Sequence, residues 1–154
     1  MQIWVDADAC PNVIKDIISR AAQRAQIVAY FIANQLIRLP ASPYLRAIQV
    51  EKGFDIADNY IAEHIQAADL AITADIPLAA SVVAKGARAI NPRGELYSEK
   101  NIREILNMRD LMATLRDSGV ETGGPSPFNH ADRQAFANQL DRLITQHQST
   151  HPLK

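Results

Sequence analysis

Ile27-Val28-Ala29-Tyr30-Phe31-Ile32-Ala33 is apolar from end to end, with no polar residue at alternate positions. A strand with one face in water alternates; one covered on both faces does not, and that condition is met inside a parallel sheet flanked by helices. Upstream, Ile14, Ile17, Ile18, Ala21 and Ala25 recur at helical spacing between Lys15, Asp16, Arg20, Gln23 and Arg24, with Pro11 suited to the first turn. Before that helix, residues 3–5 are a short apolar run that stops at Asp6 and reads as a first strand. Downstream, Pro40 and Pro43 mark a connection, and residues 46–50 read as a third strand.

The alternation continues. Residues 55–66 carry Ala57, Ile61 and Ile65 on one helical stripe that extends to Ala68; residues 70–73 read as a fourth strand, Pro77 opens a helix that stops at Gly86, and residues 87–90 read as a fifth strand closed by Asn91-Pro92-Arg93-Gly94. Ser98 is placed to cap a helix with Ile102, Ile105, Leu106, Met112 and Leu115 inward and Gly119 at its end. Residues 123–127 read as a stiff loop, and Asn129 is placed to cap a last helix with Phe136, Leu140, Leu143 and Ile144 inward. This pattern predicts an α/β three-layer sandwich around a mainly parallel five-stranded sheet, ordered near 3-2-1-4-5, in one domain over residues 1–147 with a tail at 148–154.

Composition narrows the function. The 154 residues are 47% hydrophobic and 21% charged, which is globular rather than disordered. Sixteen Lys and Arg against seventeen Asp and Glu exclude a basic coat that grips duplex DNA by charge alone. One cysteine excludes a disulfide framework and a cysteine-based zinc cluster, and the four histidines lack metal-ligand spacing. Cys10, beside Pro11, reads as a small buried residue rather than a nucleophile. No apolar run reaches the length of a bilayer span, and the first residues lack the basic start of a signal peptide. The expectation is a cytoplasmic protein without a membrane partner.

In an open parallel sheet, ligands bind beyond the carboxyl ends of the strands, where strand order reverses. The polar residues expected at those ends are Asp6 and Asp8, Asn34, Asp55 and Asp58, Asp75, and Asn91 with Arg93. Residues 51–84 hold six acids and one base, Lys52, in a chain that is otherwise near neutral. Asp6 and Asp8 share a face while the strand persists, and Asp55 and Asp58 are neighbours on a helix surface. Crowded carboxylates repel unless something neutralises them. Hard oxygen donors without His or Cys suit Mg²⁺ or Mn²⁺, so Asp6, Asp8, Asp55, Asp58 and Asp75 are the expected ligands. Asp69 is set apart, because the strand that follows carries it about 20 Å from Asp75 at ~3.3 Å per residue. The competing account is helix capping, which suits Asp55 and Asp75 individually.

Residues 4–11 (Trp4 through Pro11), 53–58, 72–79 and 127–133 together resemble the YaiI/YqxD family of uncharacterised bacterial proteins, across nearly the whole chain. That family is grouped with the PIN-like fold, whose active members are Mg²⁺- or Mn²⁺-dependent nucleases acting on RNA or DNA. The resemblance therefore implies a PIN-like fold and phosphodiester hydrolysis. For that chemistry the residues themselves point to Asp6 and Asp75 as catalytic, and, because a purely acidic edge repels nucleic acid, to Asn34, Lys52, Asn91, Arg93 and Arg133 flanking the acids to hold RNA or another single-stranded nucleic acid. Each of these five also has an ordinary surface role open to it. Phe128 is placed either to stack on a base or to pack on the sheet edge. Proteins of that fold often pair, so a homodimer is among the expectations. Two other readings stand beside this one. A non-catalytic RNA- or protein-binding module would use the acids as caps. A phosphatase of the haloacid-dehalogenase type would use Asp6-Ala7-Asp8, but it places its paired acids last in the chain, whereas Asp55 and Asp58 precede Thr73.

Overall fold

A computed structural model describes residues 1–53, 55–117 and 128–150. Its strands are β1 (Ile3–Asp6), β2 (Ala29–Ala33), β3 (Leu45–Gln49), β4 (Leu70–Ile72), β5 (Arg88–Ile90) and β6 (Leu96–Tyr97). Its α-helices are α1 (Asn12–Ala25), α2 (Ile56–His64), α3 (Ile76–Ala84), α4 (Glu99–Asp117) and α5 (His130–Thr150), and a short 3₁₀ turn spans Ala7–Ala9. The strands form one sheet in the order β3-β2-β1-β4-β5-β6, parallel except for the β5–β6 pair. The expected order of the first five strands holds.

The sixth strand was not expected. It contains two residues, too few for periodicity to reveal, and it returns along β5 through a tight turn in which the Gly94 amide donates to the Asn91 carbonyl.

Side chains alternate across the strands and divide the interior in two. Ile3, Val5, Phe31 and Ile72 face a core closed by Ile14 and Ile18 of α1 and by Phe136 and Leu140 of α5. Trp4, Ile32 and Ala71 face a second core closed by Ile61 of α2, Leu78 and Val82 of α3 and Ile102 of α4. Helices therefore cover both faces of the sheet, and the molecule is an α/β sandwich of three layers.

The capping signals act as the residue types suggest. The Asn101 amide donates to Ser98 Oγ while Asn101 Oδ1 accepts from the Ser98 amide, and Asn129 and Asp132 make the same reciprocal exchange at α5. The tail expected from residue 148 is instead helical to Thr150, with Gln148 Nε2 donating to the Ala25 carbonyl. The expected helix stop at Gly119 and the loop at 123–127 lie outside the described residues. Among the described residues, no helix is long and apolar enough to cross a membrane.

Two glycines are placed to check this packing. Both Gly86 (φ 89°) and Gly94 (φ 86°) are left-handed, which costs an L-residue about 1–2 kcal/mol. A Cβ on Gly86 would meet only Ala67, its methyl at 3.4 Å and its Cα at 3.9 Å, whereas one on Gly94 would lie 2.6 Å from the Ala135 backbone in α5. We expect Gly94→Ala to lower the urea midpoint far more than Gly86→Ala; equal midpoints would show that α5 does not pack against the β5–β6 turn.

Candidate functional site

β1 and β4 lie side by side in parallel register, with Val5 opposite Ile72, so Asp6 and Thr73 end them at the same edge. Asp6 is buried, and its Oδ2 accepts the Thr73 hydroxyl at 3.1 Å. The same Thr73 oxygen accepts the Asp75 amide at 3.0 Å. Thr73 therefore ties Asp6 to the backbone turn that aims Asp75. Burial, followed by the charges of Asp75 and Asp8, holds the Asp6 carboxyl above the ordinary aspartate range despite the hydrogen bond from Thr73.

α2 and α3 bring the other acids to this edge. Asp75 is the N-cap of α3, its Oδ1 accepting the Leu78 amide at 2.8 Å, with Pro77 in the first turn. Asp58 lies in the first turn of α2. Asp55 occupies the N-cap position of α2 in the left-handed conformation (φ 61°, ψ 11°), yet its side chain makes no capping bond. Capping thus accounts for one oxygen of Asp75 and does not account for Asp55. Asp55, Asp58 and Asp75 each offer a carboxylate oxygen within 4.8 Å of the others. They line a cleft of about 360 Å³ whose walls include Asn59 and Ser81.

The consequence is concentrated on Asp58. Burial, the charges of Asp75 and Asp6, hydrogen-bonding reach to the Asp75 carboxylate and the charge of Asp55 together push its carboxyl from 3.8 up to about 7. Two helix N-termini offset part of this negative charge, but only within their first turns. Three hard oxygen donors within the span of one ion, already under mutual repulsion, fit the donor chemistry of Mg²⁺ or Mn²⁺.

The remaining expected residues separate from this cluster. β1 ends at Asp6 and the chain enters the 3₁₀ turn, so Asp8 no longer shares a face with Asp6; its Oδ2 accepts the Asn34 amide at 2.7 Å, joining the ends of β1 and β2. Asp6 is enclosed rather than presented for attack, an arrangement that does not favour the phosphatase reading. Asn91 is buried, with Oδ1 accepting the amides of Arg93 and Glu95 and Nδ2 donating to Glu95 and Tyr97. Arg93 Nη1 pairs with Asp132 at 3.0 Å, and Arg133 contacts the His130 ring. Lys52 is exposed three residues before Asp55. Lys85 Nζ donates to the carbonyl of Ala62, another lining residue of the acidic cleft. Thr73 is the residue whose role sequence reasoning missed, although Thr-x-Asp directly after an apolar strand was its signal.

Two negative expectations are met. Cys10 is buried, which pushes its thiol up to about 12 and leaves it a poor nucleophile. Asp69, at the opposite end of β4, accepts the Gln2 amide, Trp4 Nε1 and the Gln66 amide, and it fastens the amino-terminal edge of the sheet.

The raised carboxyl has a measurable signature. Between about pH 4 and pH 7 the folded protein holds a proton on Asp58 that the unfolded chain has released, so this contribution to stability is full below pH 4 and is lost as pH rises through 7. Asp6 acts in the same direction. In metal-free buffer, we expect the urea midpoint of the wild type to fall relative to that of Asp58→Asn between pH 5 and pH 7.5. Parallel midpoints across that range would show that Asp58 is not under carboxylate pressure.

The model of the family described as "Uncharacterized BCR, YaiI/YqxD family" matches residues 4–146. A UPF0178 protein of Bordetella avium is 65% identical over 144 residues, covering 94% of both chains. Another, of Dechloromonas aromatica, is 62% identical over 144 residues, covering 94% of this chain and 96% of its own. A third, of Shewanella amazonensis, is 60% identical over 144 residues, covering 94% and 97%. No solved structure matches the chain. At this identity and coverage, the chain belongs to the YaiI/YqxD family.

Proposed function

We propose that the protein is a divalent-metal-dependent phosphodiesterase acting on nucleic acid, with its centre at the carboxyl edge of β1 and β4. The observation that carries this reading is the convergence of Asp55, Asp58 and Asp75 within 4.8 Å, from two helices, at the point where strand order reverses. The likeness of the family to PIN-like nucleases supports the same chemistry. An exposed acidic cleft also sits where an anionic polymer would be repelled, unless a cation bridges the two.

Asp55, Asp58 and Asp75 would hold Mg²⁺ or Mn²⁺, with Asp6 behind them. A bound ion of this kind supplies charge relief on the phosphate and a water acidic enough to attack it near neutral pH. Thr73 holds Asp6 and the Asp75 turn in fixed relation, a positioning role. Asp58 must give up its proton before the cleft takes a cation, so affinity for the ion rises with pH through about 7. Lys52 and Arg133 are the cations proposed to meet the flanking phosphates, and a homodimer remains part of the proposal. The proposed setting is the cytoplasm.

Calorimetric titration with Mn²⁺ tests the site, and incubation with single-stranded RNA or DNA tests the reaction. We expect saturable Mn²⁺ binding that is lost in Asp58→Asn and Asp75→Asn and retained in Asp8→Asn. Thr73→Val is expected to weaken Mn²⁺ binding by about 10–100-fold, the usual loss when a group that orients a ligand is removed. Cleavage should require the ion and vanish in Asp6→Asn and Asp75→Asn. Salt-dependent RNA binding without cleavage would replace this reading with that of a binding module. Wild-type activity in both Asp→Asn variants would refute the site.

A further inference from the structure

Asp75 lines the acidic cleft, and the residue before it, Ala74, lines a second pocket of about 380 Å³. This volume lies within the ~300–1,000 Å³ range of small-molecule sites. Phe128, which packs against the core that includes Phe136, lines the pocket with Pro92 and the buried Tyr97, and Ala9 and Ala74 line it with small side chains. Ala9 follows Asp8, so the pocket, like the cleft, belongs to the carboxyl edge of the sheet.

Two polar features limit what fits. The Tyr97 oxygen accepts Asn91 Nδ2 at 3.3 Å, which leaves the phenolic proton to be donated. Arg93 also lines the pocket, with its guanidinium held by Asp132. Burial, then the charge of Glu95 and last that of Asp75, raise the Tyr97 hydroxyl pKa against the hydrogen bond from Asn91, so the acid of the cleft is felt in the pocket. An occupant matching these walls is flat, apolar on its faces, polar at its edge and joined to an anion one residue step away.

We infer that this pocket takes the nucleobase of the nucleotide next to the scissile phosphate. The inference rests on the phosphodiesterase reading and adds a base-binding subsite to it. A base enters such a pocket only when it is unpaired and unstacked, so the substrate is single-stranded.

The test is calorimetric titration of the full chain with AMP and with ribose 5-phosphate, in saturating Mn²⁺. AMP is expected to bind about tenfold or more tighter than ribose 5-phosphate, the scale of one base stacked on aromatic walls. Ala9→Leu, which fills the pocket, and Phe128→Ala, which removes a wall, should abolish that preference. Mn²⁺ affinity should stay at the wild-type value in both variants. Equal affinity for the two ligands, no saturable AMP binding, or a preference that survives Ala9→Leu overturns the assignment while leaving the acidic centre standing. Absence of Mn²⁺ binding in the wild type is a different failure: it removes the phosphodiesterase reading, and the pocket's role falls with it.

Discussion

A parallel sheet carries its strand ends to one edge, and the helices that follow begin there with unpaired amides and positive dipole ends. In this protein β1 and β4 are neighbours, and the chain leaves them for opposite faces: α1 packs with the core that includes Ile3 and Val5, α3 with the core that includes Trp4. A crevice between them follows from that divergence. The Thr73 hydroxyl spans it, donating to Asp6 and accepting the Asp75 amide. The placement of Asp6 relative to Asp75 depends on that pairing of β1 with β4.

The contrast with Asp69 separates a structural acid from a reactive cluster. Asp69 is buried and receives three donors, two from backbone amides and one from Trp4. Among the described residues, no buried side-chain nitrogen or oxygen lacks a partner, so the fold meets its polar obligations elsewhere. At the carboxyl edge it gathers Asp55, Asp58 and Asp75, each with a carboxylate oxygen within 4.8 Å of the others. Asp55 takes a left-handed backbone without capping its helix, and Asp58 is driven to about 7 by its surroundings. Strain and like-charge crowding at one place suit a site that is completed by a cation.

Much of this was legible in the residues. The unbroken apolar run 27–33 pointed to strands covered on both faces, and β2 lies between two parallel partners. Ser98 and Asn129 marked helix starts because their side chains can replace a missing backbone acceptor. Asp69 was separable from the site by strand length alone. Asp8 was grouped with Asp6 on the assumption that the strand continued, but the chain turns into a 3₁₀ segment after Asp6. β6 was too short to show a period. Asn91 and Arg93 were expected to flank the acids and hold nucleic acid, yet one is buried as the organiser of a turn and the other is held by Asp132 from α5.

Local pattern alone therefore determined the first five strands and the helices between them, and that acids collect at one edge, because period and capping are properties of neighbouring residues; it did not reveal β6. Tertiary structure decided which acids meet. Asp58 and Asp75 stand 17 positions apart in the numbering and come together only because α2 and α3 pack on the same face of the sheet. Asp6 joins them through the hydroxyl of Thr73, just past the end of β4, while Asp8 is drawn away by the amide of Asn34. Carboxylate repulsion and hydrogen bonding act over a few ångströms in space, and distances of that kind exist only once the chain has folded.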